Sequence, residues 1–275
     1  FSSHRLKRMT SIIANLRHNP GMGLGGLQDI GGARFVFEDI DSLLKEKKII
    51  SQASFEHFVT DREPYDYVAK PKASGYRSIH FTYKYVSDND DYDGLRVELQ
   101  IRTRLQHDWA MAVETAELIS KSSLKASLGD ENWLSFFKLS SAVFAQKEGM
   151  PVAESFAEYS EKDYCVQYAQ LDKGFKFLDQ LQALVSAVKI SEEHTLRGGF
   201  AVLLIQFAEK RVQLRHFQSD NLEEATKYYS EVEKSINDQN SAVVLVSVSD
   251  MKELQEAYPS YFLNASEFIQ ALFEF

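Results

Sequence analysis

The clearest pattern of apolar and polar positions lies between residues 95 and 102. Aliphatic and polar residues alternate there with period two, which is typical of a strand with one face against a core. The polar face would carry Arg96, Glu98, Gln100 and Arg102. Shorter runs of the same kind predict strands at residues 33–39, 55–60 and 78–86. Apolar residues recur at helical spacing elsewhere, which predicts helices at residues 2–16, 40–51 and 107–119.

The second half of the chain predicts a further set of elements after a break at residues 145–155. Helices are predicted at residues 156–190, 221–236, 250–258 and 265–273, and strands at residues 200–208, 211–217 and 241–248. These strands are rich in apolar residues, as in a sheet covered on both faces. We therefore expect an α+β fold. A mixed β-sheet flanked by helices would occupy residues 1–145, and a smaller C-terminal α/β domain residues 150–275.

Composition limits the classes to which the chain can belong. Its apolar runs have the length of strands and are too short to span a bilayer, so we expect no membrane contact. Cys165 is the single cysteine, which excludes an internal disulfide and suits a cytoplasmic protein. Because the chain starts at Phe1 rather than at a methionine, we expect a further N-terminal segment before it.

The net charge of −9 is spread unevenly, since residues 1–120 hold 16 basic against 17 acidic side chains. The acidic excess therefore falls in the later part of the chain. This argues against a general nucleic-acid coat and leaves room for a local basic site in the first part.

The segment PKASGYRSIH, residues 71–80, concentrates the candidate chemistry. Lys72 could meet a phosphate, Tyr76 offers a ring on which a nucleobase can stack, and His80 stands at the mouth of a predicted strand. Taken singly, a loop tyrosine more often packs and a strand histidine is more often structural. The segment as a whole indicates a nucleotide site.

Carboxylates and basic residues supply the other candidates. Asp29 stands just before a predicted strand, and a second carboxylate on a neighbouring strand, Glu98, would suit a Mg²⁺ ion that also binds phosphate oxygens. A turn aspartate is the simpler interpretation of Asp29 alone. Three basic residues on the first turns of the first predicted helix could hold a polyphosphate or simply form a solvated face: Arg5, Lys7 and Arg8.

The order of these segments resembles the synthetase domain of the RelA/SpoT family. Its patterns look like D-I-x-G-x-R, P-K-x-N-G-Y-x-S-x-H and V-E-x-Q-I-R-T, and this chain has DIGGAR, PKASGYRSIH and VELQIRT over about residues 4–120. The resemblance implies a nucleotidyltransferase-like synthetase fold with Mg²⁺ as cofactor. It also implies transfer of pyrophosphate from ATP to the 3′-hydroxyl of GTP or GDP, which makes the alarmone (p)ppGpp.

The resemblance also assigns roles to residues by their motif positions. The catalytic and metal-binding carboxylates would be Asp29 and Glu98. The ATP-binding residues would be Arg5, Lys7, Arg8, Ser11 and Arg34. The acceptor-nucleotide residues would be Lys72, Tyr76, His80, Gln100 and Arg102, with Tyr76 stacked on the base and Lys72 and His80 on phosphates.

Departures from the family pattern keep two alternatives open. Asn15 stands where the family usually has a lysine, and Ser74 stands where it usually has an asparagine. One alternative is a toxin-type enzyme that pyrophosphorylates the 3′ end of tRNA. The other is a weakly active sensor or binding protein on a synthetase scaffold. Residues 150–275 would regulate the synthetase, bind a protein partner or form a homo-oligomer.

Overall fold

The computed structural model describes residues 2–6, 9–54, 58–59, 63–120, 131–178, 181, 189–190, 198–206, 211–236, 241–248 and 265–274. Its strands form one ten-stranded mixed sheet in the order β3-β5-β6-β2-β1-β10-β8-β9-β7, with β4 beside β5. The strands are β1 (Ser2–Leu6), β2 (Gly31–Phe37), β3 (Phe58–Val59), β4 (Tyr65–Asp66), β5 (Ile79–Lys84), β6 (Arg96–Thr103), β7 (Lys189–Ile190), β8 (Gly199–Gln206), β9 (Arg211–Phe217) and β10 (Ser241–Val248). The predicted class, α+β with a mixed sheet, is confirmed.

Helices cover the sheet and supply most of the core. They are α1 (Met9–His18), α2 (Ile40–Gln52), α3 (Arg104–Ser120), α4 (Glu131–Lys147), α5 (Glu161–Phe175), α6 (Leu222–Ser235) and α7 (Ser266–Phe273). Local signals start two of them: the Asp39 carboxylate accepts from the Ser42 N–H at 2.7 Å, and Ser160 forms a capping box with Asp163. Within the described residues, no helix is long and apolar enough to cross a membrane.

The predicted helix at residues 2–16 is wrong over its first third. Residues 2–6 form β1, which pairs antiparallel with β2 so that Arg5 lies opposite Gly32, and the helix begins only at Met9. Arg5 is therefore on a strand rather than on a helical turn, whereas Lys7 and Arg8 lie outside the described residues. The reason is tertiary, because β1 fills the place between β2 and β10 and satisfies backbone groups that would otherwise stay unpaired.

The other predicted elements of the first region are present with shifted ends. The alternating segment at 95–102 forms β6, and α3 begins three residues earlier than the predicted helix at 107–119. The sequence analysis did not predict α4, which occupies Glu131–Lys147. The helix predicted at residues 250–258 lies outside the described residues.

The C-terminal part contacts the first region in two places, once within the sheet and once among the helices. β10 lies beside β1, with Val246 opposite Arg5. Phe268 of α7 is fully buried in the core formed with α3 and α4, and the Lys147 ammonium donates to the Ala271 carbonyl at 3.0 Å. A separate small core lies beneath α6, around Val202. The domain division at residues 145–150 stays a prediction.

Candidate active site

The site is built on three adjacent strands whose polar side chains share one face. β2 and β6 are parallel and β5 and β6 are antiparallel, so that Arg34, Gln100 and His80 form one row across the sheet. In the next row, Glu98 lies opposite Gly32 on one side and Thr82 on the other. The alternation read from residues 95–102 therefore places Glu98, Gln100 and Arg102 on the face that carries the site.

A cavity of about 230 Å³ opens over this row. Its polar lining consists of Arg34, Lys72, Ser74, Tyr76, His80, Gln100, Arg102 and Glu114. The opposite wall is apolar and consists of Trp109, Ala110, Val113, Leu134 and Phe137. All of the residues predicted for the acceptor nucleotide thus line one cavity, together with Arg34, which was predicted for ATP. A flat apolar wall beside several cations suits a heterocycle that carries phosphate groups.

Glu98 lies in a continuous chain of hydrogen bonds beside this cavity. One carboxylate oxygen lies 2.9 Å from Nδ1 of His80, and the other accepts from the Gln100 amide at 2.5 Å. Nε2 of His80 lies 2.8 Å from the Tyr76 hydroxyl oxygen. The carboxylate is therefore fixed from both sides, and the histidine joins it to the tyrosine.

The loop that carries Lys72 and Tyr76 is fastened to α4. Gly75 has a φ of +89°, and its carbonyl accepts from the Ser141 hydroxyl at 2.5 Å. A Cβ atom at position 75 would lie 3.0 Å from Cβ of Ser141 and 3.2 Å from the Trp109 ring, so a side chain would displace the loop. Arg77 continues the attachment through a buried ion pair of 2.7 Å with Glu148.

Arg102 reaches the cavity although its side chain is almost completely buried. Its guanidinium lies 2.6 Å from Nδ1 of His107, a residue with no exposed surface in the first turn of α3. Since arginine can only donate, Nδ1 of His107 accepts, which requires the neutral ring. His107 therefore positions Arg102 from behind.

Burial shifts the pKa of two side chains in the loop that carries Lys72 and Tyr76. It lowers the pKa of the Lys72 ammonium, and the negative charge of Glu98 opposes that shift. The ammonium lies 4.2 Å from the centre of the Tyr67 ring and 5.3 Å from that of Tyr76, as in cation–π contacts. Burial also raises the pKa of the Tyr76 phenol, so this residue keeps its hydroxyl hydrogen at neutral pH.

Two carboxylates near the cavity, those of Asp29 and Glu98, bear on the predicted Mg²⁺ site. Asp29 is half-buried just before β2, and Gly32 lets the backbone of β2 approach β6 closely, since a Cβ there would lie 2.6 Å from the Glu98 carbonyl oxygen. The described part of the chain contains no group of three or more His, Cys, Asp or Glu side chains suited to a metal. A pair of carboxylates completed by substrate phosphates and water fits Mg²⁺. Convergence of Asp29 and Glu98 on one ion stays a prediction.

The remaining ATP-side residues are described only in part. Arg5 lies on β1 and Ser11 on α1, with the backbone alone described, and their roles stay predictions. The sequence analysis did not identify the cavity residues Leu134 and Phe137, because α4 had not been predicted. Trp109 and Val113 are both buried and also form the cavity wall.

Comparison with known proteins bears on the same part of the chain. The family model described as "Region found in RelA / SpoT proteins" matches residues 4–123. Residues 4–123 are therefore similar to the region found in RelA/SpoT proteins. This confirms the resemblance read from the motifs. The match ends three residues after α3, so α4 and all later elements of this chain lie beyond the RelA/SpoT region.

Curated relatives match the RelA/SpoT region over part of their length. An uncharacterized protein of Mycobacterium tuberculosis is 33% identical over 106 residues, 38% of this chain and 35% of that protein. The GTP pyrophosphokinase YjbM of Bacillus subtilis is 32% identical over 113 residues, 40% of this chain and 52% of that protein. The chain thus spans about half or less of the length of these relatives.

Solved structures that match part of this chain include small alarmone synthetase 1 from Bacillus subtilis bound to its product pppGpp. It is 24% identical with a TM-score of 0.47, over 54% of this chain and 74% of that chain. A GTP pyrophosphokinase family protein from Streptococcus pneumoniae is 21% identical with a TM-score of 0.44, over 67% of this chain and 79% of that chain.

Proposed function

We propose that this protein is a Mg²⁺-dependent pyrophosphokinase that transfers pyrophosphate from ATP to the 3′-hydroxyl of GTP or GDP. The observation that carries the proposal is the cavity over β2, β5 and β6. There, Lys72 and Tyr76 lie beside the hydrogen-bonded carboxylate of Glu98. Its support from sequence is the RelA/SpoT region, which also matches part of a GTP pyrophosphokinase.

The acceptor nucleotide would occupy the cavity. Its base would stack on Tyr76 and lie against the apolar wall around Trp109. Lys72 and Arg102 would meet its phosphates as cations, and Gln100 would hold Glu98 in place. Such a site fixes the acceptor before any bond changes, and positioning of this kind supplies much of the rate of phosphoryl transfer.

Glu98 would accept the proton of the acceptor's 3′-hydroxyl. The oxygen of that hydroxyl would attack the β-phosphate of ATP, and AMP would leave. The hydroxyl has a high pKa, so a carboxylate within hydrogen-bonding distance lowers the barrier. The ATP phosphates would meet Arg34 and the basic residues near the N-terminus, namely Arg5, Lys7 and Arg8, with Ser11. Bound Mg²⁺, held by Asp29 and Glu98, would neutralise negative charge on the transferred phosphates.

The decisive experiment incubates the protein with Mg²⁺ and γ-labelled ATP, and with GTP, GDP, ATP or bulk tRNA as the acceptor. We expect label in a guanine nucleotide, with AMP as the second product. Glu98→Gln and Asp29→Asn should each lower kcat by roughly 10²–10³, as the loss of one preorganised charge does. Asp90→Asn, in the exposed acidic loop at residues 87–94, is the matched control and should behave as the wild type.

Other outcomes identify the alternatives. Label confined to tRNA would replace the proposal with a toxin-type pyrophosphotransferase. Absence of labelled product, together with measurable binding of ATP and GTP by calorimetry, would replace it with a nucleotide-binding sensor. In either case the guanine nucleotide is not the acceptor.

A further inference from the structure

His80 occupies an unusual position among the residues of the cavity, because the protein itself engages both of its ring nitrogens. Nδ1 lies 2.9 Å from a carboxylate oxygen of Glu98, and Nε2 lies 2.8 Å from the hydroxyl oxygen of Tyr76. The resemblance to known synthetases had suggested a phosphate contact for His80. In the arrangement observed, neither nitrogen points to an unfilled position.

For a neutral ring, the groups around His80 allow one arrangement of hydrogens. An ionised carboxylate can only accept, so Nδ1 carries the hydrogen in the bond to Glu98. A neutral imidazole has one N–H, so Nε2 accepts, and the Tyr76 hydroxyl donates to it. A phenol is protonated at neutral pH, and burial raises the pKa of Tyr76 further, so its hydroxyl can donate. With the neutral ring, the bonds run in one direction, from Tyr76 through His80 to Glu98.

Packing prevents the ring from turning away. The rings of Tyr67 and Tyr76 both meet the imidazole edge-on, at centroid distances of 5.4 Å and 5.7 Å and angles of 90° and 87°. The second oxygen of Glu98 is held independently by the Gln100 amide at 2.5 Å. The imidazole is thus a rigid spacer between the tyrosine and the carboxylate.

We propose that His80 is a positioning residue that couples the Tyr76 hydroxyl to Glu98, and that it does so as the neutral Nδ1–H tautomer rather than by binding phosphate. The proposal rests on the proposed function in that Glu98 is taken as the proton acceptor. It divides Tyr76 into two parts. The ring holds the acceptor base, whereas the hydroxyl acts through His80 on the orientation of the carboxylate and hence on the chemical step.

Kinetics of matched variants separate these two parts. Tyr76→Phe keeps the ring and removes the hydroxyl, so kcat should fall roughly tenfold while the acceptor KM stays within about twofold. Tyr76→Ala should also raise the acceptor KM by roughly 10- to 100-fold, as a lost stacking contact does. Tyr229→Phe, which removes a hydroxyl bonded to the Glu233 carboxylate in α6, is the control and should change neither constant.

A double-variant cycle tests the coupling. His80→Ala should lower kcat, and adding Tyr76→Phe to it should lower kcat no further, because the hydroxyl has lost its route to Glu98. His80→Asn, whose amide can still donate to Glu98, should restore part of the loss. If His80→Ala instead raises the acceptor KM at unchanged kcat, or if the two losses multiply, His80 is a phosphate contact and the proposal is wrong. Urea unfolding of each variant identifies those that do not fold.

A spectrum of ¹⁵N-histidine-labelled protein at pH 8 tests the tautomer without any activity. The His80 signals are assigned by their loss in His80→Asn. We expect the hydrogen on Nδ1 and a shift of the Nε2 signal in Tyr76→Phe; a hydrogen on Nε2 would overturn the proposal whatever the kinetics show. Failure of all acceptors to take label refutes the proposed function, and with it a role of His80 in catalysis, while the spectrum still decides the hydrogen-bonded arrangement.

Discussion

The guanidinium of Arg77 lies 2.7 Å from the carboxylate of Glu148, and both side chains are almost completely buried, at 2% and 6% exposed. Arg77 belongs to the loop that carries Tyr76, whereas Glu148 follows α4, beyond the RelA/SpoT region. Glu148 also accepts from the Gln106 amide at 3.0 Å and from the Thr103 hydroxyl. The geometry of the cavity therefore depends on a residue outside the RelA/SpoT region.

Removing the charge of Glu148 should be strongly destabilising. Glu148→Gln leaves the Arg77 guanidinium buried without a carboxylate, which is expected to lower the free energy of unfolding by about 3–5 kcal/mol. The double variant Arg77→Met/Glu148→Leu should recover much of this loss, because no uncompensated charge remains. Urea unfolding measures both values. Glu274→Gln breaks the exposed pair with Lys147 and should change stability by less than about 1 kcal/mol; equal losses at Glu148 and Glu274 would contradict the argument.

Gly75 should tolerate alanine poorly. Gly75 and Gly149 both have positive φ, at 89° and 62°, so alanine at either position should cost about 1–2 kcal/mol of strain. Only Gly75 would also bring its Cβ against Ser141 and Trp109, whereas a Cβ on Gly149 meets no described atom within 4 Å. Gly75→Ala should therefore destabilise by roughly 1–3 kcal/mol more than Gly149→Ala and should also raise the acceptor KM. Equal unfolding free energies for the two variants would show that the loop can move without strain.

The contribution of the Asp108 carboxyl to the free energy of unfolding should fall as the pH rises toward neutrality. Burial raises the pKa of this carboxyl to about 7, Arg104 and Arg102 oppose the shift, and Glu267 and Glu38 add to it. Between the ordinary aspartate pKa and about 7, the unfolded chain has released the proton that the folded protein still holds, so the free energy of unfolding decreases with pH. Below that range the contribution is fully present, and above it the loss is complete.

Asp108→Asn removes this titration. Its stability relative to the wild type should increase from pH 5 to pH 8 by roughly a few kcal/mol, since one pKa unit corresponds to about 1.4 kcal/mol. Urea unfolding at four pH values gives the difference. Asp88→Asn, in the exposed acidic loop, should follow the wild type at every pH. A constant difference between Asp108→Asn and the wild type would mean that Asp108 is ionised throughout this range.

Two phenylalanines of α7 test how far the C-terminal helix contributes to the common core. Phe268 is fully buried among Phe136, Phe137 and Phe144, whereas Phe273 is 74% exposed. Phe268→Ala should lower the free energy of unfolding by about 3–5 kcal/mol, and Phe273→Ala by less than about 0.5 kcal/mol. If Phe268→Ala is as mild as Phe273→Ala, the C-terminal helix does not stabilise the RelA/SpoT region, and a truncation near residue 150 should still fold.

The sequence was sufficient to predict the elements that have a strong local period. The alternation at 95–102 is a property of the pleated strand, so the face that carries Glu98 followed from spacing alone. The helical spacing of apolar residues likewise predicted α2, and the apolar run at residues 241–248 predicted β10. The residues predicted for the acceptor nucleotide lie within short motifs on adjacent strands, which is why they line one cavity.

Tertiary structure decided what local pattern leaves open. Leu6 fits the helical spacing of the apolar residues that follow it, but residues 2–6 form β1. The pairing with β2 and β10 satisfies more backbone groups than an isolated helical turn would. The partners of His80, the apolar wall from α4 and the ion pair between Arg77 and Glu148 all join residues distant in the chain. Periodicity reports which side of an element a residue occupies, whereas the identity of its neighbour depends on how buried polar groups and side-chain volumes are satisfied in the folded protein.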